Sequence, residues 1–292
     1  MHFTVGVFLE EGQYLDKALA PYQENNMETC PGEFLEFCEV EEEHKKEYEE
    51  ESIEVVKTPE GKLLHRWDER FRKEGELGYG TNTHEVPEDC GIVQVKLKDK
   101  YKTFEEYMRE YCGFDKRDEI HNKYGYWANP NSKWDWYVVG GRWNGLLLVE
   151  EDADAINGEL GVFEYKREEK DPAPNGYKWA DAAKLKDIEW ELIREISKEN
   201  AKKRWEKAKN LEAPEKHFIY GIKENDSFES FLKRNTEFST YAVITPDGKW
   251  YEKKFDMENY EENEREWQNE YFEKFIKNAD KDLIFVIVDC HI

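Results

Sequence analysis

The two most apolar, β-branched runs of the chain stand at its opposite ends. They are HFTVGVFL (His2–Leu9) and LIFVIVD (Leu283–Asp289). Both are short, and neither shows the polar alternation of a half-exposed strand, so both read as buried strands. In a chain of which 38% is charged, apolar segments of this strength are scarce. Any core must therefore be built around these two.

Between them, strands and helices interleave. Val55–Leu64 reads as a hairpin turning at Pro59 and Gly61, and Ile92–Leu97 as a strand. Thr103 and Glu106 form a capping box that opens a helix ending near Gly113. Trp134–Val139 and Gly145–Val149 read as strands flanking Gly140-Gly141. Asp181–Asn210 carries an apolar stripe through Leu185, Ile188, Leu192 and Ile196 and reads as one long helix. His217–Ile222 is predicted as a strand, Ser239–Thr245 and Trp250–Lys253 as a hairpin across Pro246-Asp-Gly-Lys249, and Glu258–Lys277 as the last helix. The near repeat of TPEGK (58–62) in TPDGK reflects shared turn chemistry, because the flanking residues differ.

Hairpins break a strict βαβ alternation, which favours α+β. The expected architecture is a ferredoxin-like, largely antiparallel sheet core with large insertions and helices mainly on one face. In that topology the first and last strands are antiparallel neighbours, which places His2 beside Asp289 and His291. The chain reads as a single α+β domain over 1–292 with an insertion at 22–90. The Pro- and Gly-bearing stretch 168–178 is the best place for a subdivision.

Charge excludes several functions. Acids outnumber bases 67 to 43, a net charge of −24. Direct nucleic-acid binding and docking on anionic membranes both need the opposite surplus. No apolar run approaches the ~18 residues of a membrane span, and MHFTVGVFLEEG lacks the basic region of a signal peptide. The five cysteines (30, 38, 90, 112, 290) form no CxxC pair, which suits free thiols in a reducing cytoplasm. The aromatic content of 15%, with 10 Trp, supplies the large apolar areas of a globular core. GxGxxG, GxxxxGK[ST], HExxH and GxSxG are all absent, so no cofactor is expected.

Two groups of residues could carry chemistry. The first is YGYWANPNSKWDWYVVGGRWNG (124–145), in which Lys133, Trp134, Asp135, Trp136, Tyr137, Arg142 and Trp143 suggest an aromatic, Arg-bearing binding surface. Asp135, set between two tryptophans, would pair with Arg142. The alternative is a structural aromatic corner. The second group is His2, Asp289 and His291, two imidazoles and a carboxylate that could hold a divalent metal or act as an acid–base set. Cys290 adjoins His291, but neighbours on a strand face opposite ways. His65 and His84 read as surface histidines. The acid runs Glu39–Glu51 and Glu258–Glu273 read as solvated helix faces that could also mimic a polyanion.

These pieces resemble a family of uncharacterised proteins encoded by bacteriophages, prophages and some bacteria. The similarity rests on HFTVGV, LAPYQENNM (19–27), TPEGKLLHRWDERFR (58–72), GTNTHEVPEDC (80–90), the KWDWYVVGGRW motif and the terminal VDCHI. It implies an accessory protein of the host cytoplasm and assigns no catalytic residue. With the acidic surface and the missing catalytic signatures, it predicts a binding protein that inhibits a bacterial anti-phage defence protein by direct contact. One alternative is a sponge for a nucleotide second messenger, with Trp134–Trp143 stacking a base and Lys133 and Arg142 on phosphate. Another is a metal-assisted hydrolase using His2, Asp289 and His291. A homo-oligomer is compatible with the same sequence.

Overall fold

The computed structural model describes residues 1–73, 83–160, 172–256 and 258–292. The chain divides into two compact units, one formed by Met1–Phe34 with Asn129–Ile292, the other by Leu35–Ala128. The inserted unit thus begins and ends later than the 22–90 stretch read from composition. Its own end strands, Glu36–Glu39 and Gly125–Ala128, pair antiparallel, so the chain enters and leaves side by side. Of the 168–178 stretch, residues 168–171 lie outside the described residues, and Tyr177 already belongs to a strand, Tyr177–Ala180.

The first unit is α+β. Its main sheet contains β1 (His2–Leu9), β2 (Trp136–Gly141), β3 (Ala182–Lys184), β4 (Ala242–Ile244), β5 (Trp250–Glu252) and β6 (Ile284–His291). As the two apolar runs require, β1 and β6 are central and antiparallel, in register from His2↔His291 to Leu9↔Ile284. On its other side β6 pairs with β3 along Ile284–Val286 and with β2 along Val288–His291.

The order on the far side of β1 corrects the ferredoxin-like antiparallel core. β1 lies parallel to β4, the first strand of the TPDGK hairpin, and β5 stands outermost. A parallel neighbour needs a long crossover, and Leu9 and Ala242 are separated by most of the chain. The two turns read as alike do close alike. Thr245 and Thr58 each accept from the glycine of their turn and donate to the Lys carbonyl at its end.

Both faces of the sheet are buried. Phe8, Val243, Phe285 and Ile287 pack under α2 (Trp190–Ala208), α3 (Tyr260–Tyr271) and the π-helical turn Phe272–Lys277. Val5, Val7, Leu9, Ile244, Val286 and Val288 face the other way, against Leu19 of the short helix α1 (Leu15–Leu19) and Trp134. The long helices therefore share one face. Each such buried aliphatic or aromatic side chain contributes about 1.5–3 kcal/mol.

Two predicted elements change type. Asp181–Ile188 is not α-helical. Ala182–Lys184 pairs with β6, and Leu185 and Ile188 still reach the core from extended and 3₁₀ backbone. Of His217–Ile222, His217–Tyr220 is the end of a helix, Ala213–Tyr220, with Pro214 in its first turn and Gly221 closing it. Short apolar runs do not separate helix from strand, and here the flanking Pro and Gly decide. Among the described residues, no helix is long and apolar enough to cross a membrane.

In the inserted unit, Leu63–Leu64, Ser52–Lys57 and Gly91–Lys96 form a three-stranded sheet. Thr103 caps Phe104–Glu110 as its capping box predicts, except that Glu106 accepts from Lys102 rather than Thr103. The acidic run forms the helix Glu41–Glu50. It is mostly solvated, but Glu41 is buried and accepts from Lys45, Arg117 and the Tyr124 N–H. Burial opposes its charge, yet these donors prevail and hold its carboxyl at about 2.

Stability follows from that depressed value. Glu41 contributes above the unfolded value of ~4.3 and ceases to as pH falls towards about 2. We expect Glu41→Gln to destabilise this unit by about 1–3 kcal/mol at neutral pH, since hydrogen bonds to a charged acceptor are lost. The gap between wild-type and variant urea midpoints should close between pH 5 and pH 2. A gap that persists undiminished at pH 2 would contradict this assignment.

Candidate functional site

Strand pairing joins the two groups of candidate residues into one site. In register, Trp136 lies opposite His291, which lies opposite His2, while Val138 lies opposite Asp289 and Asp289 opposite Thr4. Side chains of directly opposed strand residues share a face, so His2, Asp289, His291 and Trp136 stand together. His2 Nδ1 is 2.8 Å from Asp289 Oδ1, and His291 Nδ1 is 2.8 Å from Asp135 Oδ1. The two imidazoles meet edge-on at 5.0 Å between centroids, and the Trp136 indole stacks on His291 at 5.2 Å and 17°.

The remaining motif residues scatter. Trp134 is a core residue whose indole N–H donates to the Leu19 carbonyl. It therefore offers no face for a base to stack on. Lys133 pairs with Glu252 at 2.9 Å. Tyr137 donates to Asp16, and Trp143 packs half-buried against the core. The expected Asp135–Arg142 pair is corrected. Asp135 instead binds His291 and the Trp136 N–H, because the β2–β6 register brings His291 to it. Arg142 contributes its backbone N–H to Asp289, with its side chain at the surface.

A second carboxylate went unnoticed in the sequence. Asp181 is fully buried where the partner of β6 changes from β3 to β2. Its side chain accepts from the Gly158 N–H at 2.8 Å, from Asn144 Nδ2 at 2.6 Å and from the Gly145 N–H. Both carboxylates pack against the Gly140-Gly141 turn, where φ is +78° and +53°. A Cβ on Gly140 would stand 2.5 Å from Asp181 Oδ2, and one on Gly141 2.5 Å from the Asp289 side chain. The available signal was the Gly pair beside Asn144, which predicts close approach by something, though not by which acid.

Chemically, each histidine has its Nδ1 fixed by a carboxylate, and His291 Nε2 is in turn met by the Met1 ammonium at 3.3 Å. The rings touch each other and Trp136, so no substrate atom fits between them. The metal trio does not converge, since the two Nδ1 atoms turn to different carboxylates. Among the described residues, no group of three or more His, Cys, Asp or Glu is placed to hold a metal ion. Burial pushes the Cys290 thiol far up, which keeps it protonated. The site is thus a polar clasp over the ends of three strands.

The inserted unit has its own polar cluster, marked in sequence only by the helical spacing of His44 and Glu47. His44 Nδ1 lies 2.7 Å from Glu47 and 3.8 Å from Cys112 Sγ, and Tyr107 donates to Glu47 at 2.9 Å. A nucleophile triad needs the acid and the thiol on different ring nitrogens. Here they share one, and burial raises the thiol. His65, read as a surface histidine, is half-buried and bonds Tyr101 at 2.5 Å.

Comparison with known proteins yields no match to a family model, to a curated protein or to a solved structure.

Proposed function

We propose that this protein is a phage-encoded binding protein that inhibits a bacterial anti-phage defence protein by direct contact. The observation that carries the reading is an exposed apolar pair amid charge. Phe218 is 91% and Ile219 58% exposed on the helix Ala213–Tyr220. That helix borders a cavity of 1180 Å³ whose walls include Glu261 and Glu264 of α3 together with Asp226, Lys233 and Arg234. Exposed aromatic anchors ringed by charged groups are the composition of protein contact surfaces. A net charge of −24 would steer a basic partner towards it. The closed packing of His2, His291 and Trp136 supports binding over turnover.

Affinity capture from host lysate tests this. A host protein should be retained by the wild type at low salt. Its recovery should fall as ionic strength rises, because charge steering is screened over ~8–10 Å. Phe218→Ser should weaken retention at least tenfold, the scale of an aromatic anchor worth about 2 kcal/mol. Failure to retain any protein at low salt, or retention indifferent to both salt and Phe218→Ser, counts against the proposal.

A further inference from the structure

Away from both the clasp and the Phe218 surface, a cavity of 520 Å³ opens where β1 and β4 end. These two strands are parallel, so their carboxyl ends point the same way. The volume lies within the range of small-molecule sites.

Three features describe what such a cavity would take. Its floor is apolar, formed by the buried side chains of Phe8, Phe275 and Leu283. One wall is the end of the π-helical turn Phe272–Lys277. π-Turns are rare, and they recur at functional sites because they displace a side chain from the regular helical ladder. Here the turn carries Phe275 into the floor and Lys274 to the edge.

The rim is negative. Glu10 and Glu11 follow β1, and Asp280 and Asp282 precede β6. Lys186 neutralises Asp282 at 2.6 Å. Lys274, the one cation among the described residues of the rim, stands over the Tyr251 and Phe275 rings at 5.1 Å from each centroid. It therefore already fills the cation–π position beside the floor, so an incoming ammonium is left to the carboxylates.

We infer that this cavity is a binding site for an amphipathic organic amine, with an apolar body on Phe8, Phe275 and Leu283 and an ammonium head among Glu10, Glu11 and Asp280. An anion would meet the carboxylates, and a neutral apolar molecule would leave the rim unused. The site stands apart from the proposed protein contact and does not depend on it.

Calorimetric titration of the full chain with hexylamine and with hexan-1-ol tests the inference. The two probes share the apolar body and differ in charge. Hexylamine should bind at millimolar concentration or below, and hexan-1-ol at least tenfold more weakly. Glu11→Gln with Asp280→Asn should reduce hexylamine affinity at least fivefold while leaving hexan-1-ol unchanged. Ala279→Phe, which fills the cavity from its wall, should abolish both. The inference is overturned by absence of hexylamine binding, by equal affinity for the two probes, or by hexylamine binding that survives Ala279→Phe in a folded protein. The comparison of the two probes on the wild type stands even if a variant fails to fold.

Discussion

Asp181→Asn should be among the most destabilising single-atom changes in this protein. The carboxylate is fully buried, and among the described residues its two oxygens accept from the N–H groups of Gly145 and Gly158 and from the Asn144 amide. An asparagine offers one oxygen and an NH₂. Whichever way the amide turns, at least one donor faces another donor in the absence of water. Hydrogen bonds to a charged acceptor contribute about 1.5–3 kcal/mol each, and a buried donor left unpaired costs about 1–3 kcal/mol. The sum predicts a loss of about 3–5 kcal/mol. At roughly 2–4 °C per kcal/mol for a chain of this size, calorimetry should record a drop of about 10 °C. A loss below ~1 kcal/mol would mean that the turn is not organised around Asp181.

Gly141→Ala should come close in magnitude for a different reason. Gly141 has φ of +53°, and an added Cβ would stand 2.5 Å from the Asp289 side chain. An L-residue in left-handed backbone costs about 1–2 kcal/mol, and overpacking a site that cannot yield costs about 1–3 kcal/mol more. Asp289 cannot swing aside without leaving His2 and the Arg142 N–H. The expected total is about 2–5 kcal/mol. Gly12→Ala separates the two contributions, since Gly12 has φ of +83° but nothing within 4 Å of its Cβ position. The difference between the two variants in denaturant unfolding then measures the close approach alone. Equal losses would falsify the claim that the glycine pair exists to seat the buried carboxylates.

The two predictions concern one piece of architecture, which the sequence revealed only in part. Two glycines in a row beside Asn144 announce a turn that something approaches closely. Asp181, however, sits in a stretch whose apolar spacing matches a helix as well as it matches the short strand β3. Periodicity over so few residues favours neither, and the available edge of β6 settles the matter. The same holds at 213–220, where apolar residues consistent with a strand form a helix because Pro214 and Gly221 suit its two ends.

The clasp shows the same division. Aspartate and histidine two residues apart on a terminal strand share a face on any reading, and pairing of the end strands was enough to bring His2 to them. That Asp135 and Trp136 would complete the group required knowing that β2 lies along the second half of β6, with Trp136 opposite His291. A one-residue slip would have sent Asp135 and Trp136 to exchange faces.

From the amino-acid order alone came the buried end strands, their antiparallel union, the hairpin turns and the acidic exterior. These depend on local chemistry, on hydrophobic runs, glycine and proline at turns, and net charge. The tertiary structure alone decided that β1 has a parallel neighbour, that Trp134 is core while Trp136 covers His291, and that Asp181 anchors the glycine turn. Those outcomes are set by which strand edges meet, and an edge is a property of two segments distant in sequence, neither of which records its partner.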